Sequence, residues 1–337
     1  MRHEKILLEH GSGGLLSNGL INDKFLPLFK NTFLERLEDG AIFDVRETKL
    51  CFSTDSYVVQ PVFFPGGNIG SLAVHGTVND ISMCGGKPLY LSTGFIIEEG
   101  FLMKDLETII ASMAGAAEKS GVIIVTGDTK VVPKGTADGI FINTSGIGMV
   151  TYKSPIGIKS IRPGDCVIIN GTIGDHGTAI LSVREGIDIG EGVLSDSSPL
   201  NSIVEEILEA CPDVHCMRDA TRGGLGAILA EIAQQSGFTV TIDESLIPVR
   251  EQVRGACEIL GLDALYLANE GKFVIFCPQT SAGVVLDIMR ANPLGTHAAL
   301  IGTVNESSGR GRLILKTAIG GSREIDLPTG ELVPRIC

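Results

Sequence analysis

Four aspartates stand beside apolar segments of this 337-residue chain. They are Asp55 in Phe52-Ser53-Thr54-Asp55, Asp80 in Gly76-Thr77-Val78-Asn79-Asp80, Asp128 in Gly127-Asp128-Thr129-Lys130, and Asp219 in Arg218-Asp219-Ala220-Thr221-Arg222. Any one of them reads as a turn former or a helix cap. As a set they are hard oxygen ligands on several segments. With Lys130 and a glycine turn they are the parts that hold Mg²⁺ on nucleotide phosphates. The glycine turn is His10-Gly11-Ser12-Gly13-Gly14, running into an expected helix that reaches about Phe29. A helix N-terminus presents unpaired N–H groups and a positive dipole end, which suits a phosphate. The turn matches neither the P-loop nor the dinucleotide fingerprint, and glycine clusters are commonly only turns.

Two further polar clusters abut apolar runs. Glu270, in Asn269-Glu270-Gly271-Lys272, precedes the buried-looking Phe273-Val274-Ile275-Phe276. A carboxylate desolvated at a strand end has a raised pKa and serves as a base; a solvated loop glutamate is the plain alternative. His176, in Gly174-Asp175-His176-Gly177, reads as a capping or packing residue. The last segment, Leu327–Cys337, contains two prolines and a glycine and is expected to lie extended and mobile. At roughly 3.3 Å per residue it reaches about 35 Å. Cys337 is then either an incidental last residue or a tethered substrate. Its own carboxylate is expected to raise the thiol pKa, with Arg335 partly offsetting it.

The elements that must position these residues follow from periodicity. Strands are expected near residues 50–63, 89–97, 122–126 and 139–150. A helix from Ile69 to Met83 stops at Gly85-Gly86, and a second runs from Met103 past Ala117. After a break at Thr151–Asp165, rich in proline and glycine, helices and strands mix again. This predicts an α+β chain of two domains: a glycine-rich segment 1–40, a domain 41–152, a domain 153–325 and a tail 326–337. The balance of 44% hydrophobic and 20% charged residues is that of a globular enzyme. A net charge of −13 excludes a generic nucleic-acid or anionic-membrane binder. Neither a secretory signal nor a membrane span is visible, and eight scattered cysteines without a CxxC pair fit a reducing cytoplasm.

Together the series HGSGG (10–14), FSTDSYV (52–58), PGGNIG (65–70), GTVND (76–80), TGDTKVV (126–132), GDHG (174–177), RDATRGG (218–224), NEGK (269–272) and PRIC (334–337) resembles the HypE family of [NiFe]-hydrogenase maturation factors. That family lies in the superfamily of aminoimidazole ribonucleotide synthetase and selenophosphate synthetase, whose other members lack this tail. The resemblance implies a ferredoxin-like N-terminal domain that pairs in a homodimer, and a C-terminal α/β sandwich, with ATP between them. It implies ATP-dependent dehydration of a carbamoyl group on Cys337 to a thiocyanate that becomes an iron-bound cyanide. The carbamoyltransferase HypF is the implied loading partner and a HypC–HypD complex the implied acceptor. By the same resemblance Asp55, Asp80, Asp128 and Asp219 are Mg²⁺ ligands, and Gly11, Gly13, Gly14, Asn79 and Thr129 contact ATP. Lys130 and Glu270 lie by the dehydration chemistry.

Two other readings remain open: a superfamily kinase or synthetase acting on a free small molecule, and a non-catalytic scaffold whose Cys337 donates a ligand to a partner's metal.

Overall fold

The structure, a computed structural model, describes residues 14–29, 31–152, 154–187, 193–307, 309–328, 333 and 336–337. It begins with helices α1 (Leu15–Leu20) and α2 (Leu26–Phe29), joined through a π-helical turn at Ile21–Phe25. Strands β1 (Ala41–Val45) and β2 (Thr48–Tyr57) pair antiparallel. After the short ribbon of β3 (Phe63–Phe64) and β4 (Gly67–Asn68), Asn68 caps helix α3 (Ile69–Met83). The Asn68 carboxamide oxygen accepts the N–H groups of Gly70 at 2.8 Å and Ser71 at 3.3 Å, and the Ser71 hydroxyl accepts the Asn68 N–H in return. Such a reciprocal cap is worth about 1 kcal/mol. Gly85, at φ +72°, ends the helix in the left-handed region that glycine adopts freely.

Strand β5 (Gly86–Glu98), helix α4 (Met103–Ser120), β6 (Ile123–Val132) and β7 (Ile140–Val150) complete a five-stranded sheet of order β1-β2-β7-β5-β6. Only β5 and β6 run parallel. Strand alternation gives the sheet two unlike faces. Cys51, Ser53, Tyr57, Leu91, Thr93, Ile142 and Thr144 point inward, where α3 and α4 cover them. Phe52, Tyr90, Ile96 and Ile147 point outward and are 38–46% exposed.

The second half supplies β8 (Cys166–Ile169), α5 (Asp175–Glu185), α6 (Asn201–Ala210), β9 (Cys216–Asp219), α7 (Gly224–Ser236), β10 (Thr239–Asp243), α8 (Glu251–Leu260), β11 (Phe273–Cys277), α9 (Gln279–Ala291), β12 (Ala299–Asn305), β13 (Arg312–Lys316) and β14 (Ser322–Ile325). Its seven strands lie in the order β14-β13-β10-β12-β8-β11-β9. Here both faces are buried, which explains why β8 and β11 read as continuous apolar runs. Val167, Ile169, Val274 and Phe276 join Leu225, Leu229 and Ile232 of α7 in one core. Ile168, Phe273 and Ile275 join Ile203 and Ile207 of α6 and Val285 and Met289 of α9 in another. The result is the expected α+β architecture, with a helix-covered sheet in each half. Helix α3 packs against β2 and β7 on one side and against α6 and β9 on the other, so its last turns stand in the cleft between the two halves.

Candidate active site

Most of the chemistry-bearing residues converge on that cleft. Asp80 sits in the last turn but one of α3, and its Oδ2 accepts the Ser53 hydroxyl of β2 at 2.6 Å. Asp55 lies on the inner face of β2, and its Oδ1 is 3.9 Å from the Arg222 guanidinium. Asp219 ends β9, next to a buried ion pair between Arg218 Nε and Asp39 at 2.7 Å. Glu270 precedes β11; its N–H donates to Asp196 Oδ1 at 3.0 Å, and its carbonyl accepts from Asn79 Nδ2 at 3.3 Å. Asn79 also accepts the Leu200 N–H at 2.8 Å, so it clasps α3 to the second domain.

This is a site with more negative charge than its surroundings neutralise. Burial, then Asp219, Asp55 and Asp39, push the Asp80 carboxyl well above the ordinary carboxylate range. Burial and the Asp39 charge lift Asp219 to about 8, with Arg218 opposing. Glu270 is 2% exposed and rises well above its usual value through burial, then Asp55, Asp196 and Asp219, against the pull of Arg222. Its Oε1 has no hydrogen-bond partner among the described residues.

The chain's last residue is seated in the same place. The Val58 N–H donates to a carboxylate oxygen of Cys337 at 3.1 Å, and His176 Nε2 lies 2.7 Å from the Ile336 carbonyl. Ile336 is buried beside Ile180 and Ala268. Burial pushes the Cys337 thiol up to about 12; Arg222 pulls it down, and Glu270 and Asp55 push it further up. The thiol is raised, but by burial and by Glu270 and Asp55 and not by its own carboxylate, and the cation facing it is Arg222. Arg335 lies outside the described residues. At its root the tail meets the N-terminal segment: the Leu15 N–H donates to the Pro328 carbonyl at 3.1 Å, and a Cβ on Gly14 would strike that oxygen. Gly14 is thus packed against the tail, while Gly11 and Gly13 lie outside the described residues.

The chain does not bring Asp128, Thr129 and Lys130 into this cluster. Strand β6 does not stop at Thr126; it continues through residues 127–132 as the sheet edge. Asp55 pairs with Thr144, Thr144 with Thr93 and Thr93 with Gly127, so β6 is three strands away, roughly 14 Å at about 4.8 Å per strand. Asp128 pairs with Gly94 and Lys130 with Ile96, which puts both on the outer face, opposite Asp55. They pair with each other at 2.8 Å in solvent, and the Lys130 ammonium holds the Asp128 carboxyl below its ordinary range. Thr129 lies on the other side of that strand and is exposed.

Asp55, Asp80 and Asp219 keep the donor chemistry that Mg²⁺ takes: hard oxygens and uncompensated charge. Among the described residues no group of three His, Cys, Asp or Glu side chains forms a direct metal cage. The set therefore fits a cation held by one or two carboxylates, with water and phosphate oxygens as its remaining ligands.

Four site residues escaped sequence reasoning. Arg222 faces the Cys337 thiol, and His176 holds the tail. Lys272 and Asp196 form a buried ion pair at 3.1 Å beside Glu270. Local signals existed for three of them, since His176, Arg222 and Lys272 fall inside the motifs GDHG, RDATRGG and NEGK. Asp196 carried none.

Comparison with known proteins places this geometry. The family described as AIR synthase related protein, N-terminal domain, matches residues 37–150, and its C-terminal domain family matches residues 162–314. The carbamoyl dehydratase HypE of Azotobacter vinelandii is 48% identical over 337 residues, covering 100% of this chain and 98% of that protein. A crystal structure of HypE in complex with ATP superposes with a TM-score of 0.84 at 49% identity, covering 99% of this chain and 100% of the other. A chain from a HypE–HypF complex gives 0.87 at 46%, covering 92% and 99%.

Proposed function

The chain belongs to the HypE carbamoyl dehydratase family, and from that premise we propose that it uses ATP to dehydrate a carbamoyl group carried on its own Cys337. The observation that carries this reading is the seat of Cys337: a thiol at the end of a tail, held between the domains beside Arg222, Glu270 and Asp55. Nothing in a kinase acting on a free small molecule calls for that contact. A scaffold donating Cys337 to a partner's metal has no use for the carboxylate cluster.

The balance of the reaction assigns the parts. A carbamoyl oxygen does not leave as oxide, so it first attacks the γ-phosphoryl group of ATP, breaking the bond to ADP and giving an imidate phosphate. Two N–H protons must leave in all, one as the imidate forms and one as phosphate departs, and the product is S–C≡N with ADP and phosphate. Glu270 is the base for the second proton: it is buried, has a free oxygen and lies beside the sulfur that bears the carbon. Arg222 faces the charge that gathers on the carbamoyl oxygen. When bound, Mg²⁺ supplies charge neutralisation on the phosphates, with Asp55, Asp80 and Asp219 as the residues to hold it. The docked tail keeps water from the activated carbon. Attachment also makes the step intramolecular, an advantage of up to about 7–11 kcal/mol.

The raised thiol also bears on loading. A thiol near 12 is scarcely thiolate at neutral pH, so the tail must leave this seat to be loaded by a carbamoyltransferase of the HypF kind. The test of the whole reading is intact-protein mass spectrometry of the chain loaded by that partner. Adding Mg·ATP is expected to convert a carbamoyl gain on the C-terminal peptide into the same species less one water. A loaded tail unchanged by ATP would overturn it.

The outward apolar residues Phe52, Tyr90, Ile96 and Ile147 support a homodimer through this face. Asp128 and Lys130 share that face, so the reading has them serve the other copy's site. Sedimentation is then expected to give twice the chain mass. Lys130→Ala and Cys337→Ala chains, each inactive alone, are expected to regain part of the dehydration when mixed and allowed to exchange. Failure to complement in an exchanged dimer would return Lys130 to a role within its own chain, or to none. As the last step of this reading, a HypC–HypD complex accepts the cyanide: the S–C bond breaks, a two-electron reductant on the acceptor's side supplies the electrons, and Cys337 takes up a proton and returns as the thiol.

A further inference from the structure

Residues 193–200 thread the cleft, and their polar atoms reach several parts of the site. The Ser195 N–H donates to the Pro65 carbonyl at 2.8 Å, and Ser197 Oγ lies 3.0 Å from His75 Nδ1 on α3. Asp196 Oδ1 accepts the Glu270 N–H. Ser195 Oγ accepts the Ser197 N–H at 3.1 Å and lies 2.7 Å from His176 Nδ1. Since that hydroxyl oxygen already accepts one hydrogen bond, its proton is available to Nδ1. The ring hydrogen then belongs on Nε2, which faces the Ile336 carbonyl at 2.7 Å. The ring is fully buried and meets Phe64 edge-on, with centroids 5.4 Å apart, so it has no room to turn away. Burial lowers its pKa and favours the neutral ring.

We propose that His176 is the positioning residue for the substrate-bearing tail: its Nε2–H holds the Ile336 carbonyl and thereby sets where the next residue's sulfur stands against Glu270 and Arg222. The proposal rests on the reading of Cys337 as carrier. Its geometry is specific to that task. The imidazole and the Ile336 carbonyl are 160 residues apart in sequence, and the contact is made one residue from the reacting sulfur. The Val58 N–H supplies the second hold, on Cys337 itself. Ser195 fixes the ring and its neighbour Asp196 fixes Glu270, so one strap sets both the tail and the base.

The remaining seven cysteines are buried, so iodoacetamide probes Cys337 selectively in the full chain. In His176→Leu, which removes the donor at similar bulk, Cys337 alkylation is expected to quicken about tenfold, because an unheld tail spends more time undocked. Single-turnover dehydration of the carbamoylated chain is expected to fall about 100-fold, the scale of a misplacement near 1 Å. Loading by the carbamoyltransferase, which also acts on the undocked tail, should not slow and should quicken by up to about tenfold at subsaturating partner, so the loss lies in the dehydration step alone. His176→Gln keeps an N–H near the Nε2 position and should recover most of both losses. Ser195→Ala, which keeps the ring but loses its Nδ1 partner, should show an intermediate alkylation rate if His176→Leu proves unstable. Alkylation and single turnover both unchanged in a folded His176→Leu chain would overturn the proposal. So would Gln failing to differ from Leu. The alkylation readout needs no carbamoyl chemistry, so a wild-type chain that forms no thiocyanate would sink the carrier reading while still reporting on the hold.

Discussion

A Cys337→Ala chain is expected to bind Mg·ATP and to yield no thiocyanate under any loading condition. The loss should be complete, because alanine has no atom on which to carry the carbon; a catalytic residue, by contrast, usually leaves some residual rate. The fold should survive. The side chain contributes only partly buried surface to the cluster around Tyr57, Ala268 and Ile180, and such truncations cost about 1 kcal/mol. The backbone holds at Ile336 and Cys337 do not depend on the thiol, so the tail should still dock. The decisive measurement pairs nucleotide binding by calorimetry with intact mass after loading and ATP. Unchanged turnover on a free small molecule would favour the kinase reading. Loss of bound metal without any ATP-linked change of the tail would favour the scaffold reading. Arg222 sharpens the comparison: it faces the Cys337 sulfur, a neutral thiol at neutral pH, and its guanidinium is 3.9 Å from Asp55, so removing the sulfur should leave the charge balance of the acidic cluster unchanged.

The sequence reveals the parts more readily than their arrangement. The apolar run at β11 and the Gly85-Gly86 stop are local signals, and local physics realises them as expected, while the Asn68–Ser71 cap is a local device that the sequence reading did not name. Glu270 is legible because a carboxylate abutting a five-residue apolar strand is desolvated wherever that strand packs. Asp128 and Lys130 are not, for a reason of parity. Gly127-Asp128 resembles a turn, so the strand was expected to end at Thr126; pairing with β5 carries it on to Val132. Once the strand continues, alternation sends Asp128 to the face opposite Asp55, and no reading of β6 alone reveals which face that is. Asp55 and Asp80 stand within β2 and α3, inside the strand and the helix that periodicity predicts there. His176 reads as a packing residue because its partner, the Ile336 carbonyl, has no side-chain signature at all. Asp196 belongs to the site only because Lys272 and the Glu270 N–H meet it across the fold.

Glu270→Gln is expected to slow dehydration of the loaded tail by about 10²- to 10⁴-fold, the usual worth of a positioned base. At the same time it should make the protein more stable. The two effects share one cause. In the folded chain Glu270 is buried among Asp55, Asp196 and Asp219, so its carboxyl keeps its proton at pH values where the unfolded chain, near the ordinary 4.5, has lost it. The native state therefore binds more protons than the unfolded state across that window. Stability attributable to this group is intact below pH 4.5 and falls as pH rises toward the folded value, by at most about 1.4 kcal/mol per pH unit. Glutamine is neutral throughout and escapes the loss. Its advantage in thermal unfolding should be negligible near pH 4 and grow by pH 8, where Asp219, itself lifted to about 8, still contributes the same trend in both chains. Activity should move the other way. Wild-type single-turnover rates rise with pH as Glu270 becomes able to accept a proton, and the glutamine chain stays low and flat. A variant that is slower without being more stable at pH 8 would show that Glu270 is charged in the resting protein, with Arg222 outweighing burial. A variant equally fast at every pH would remove Glu270 from the role of base and leave the departing phosphate as the acceptor of that proton.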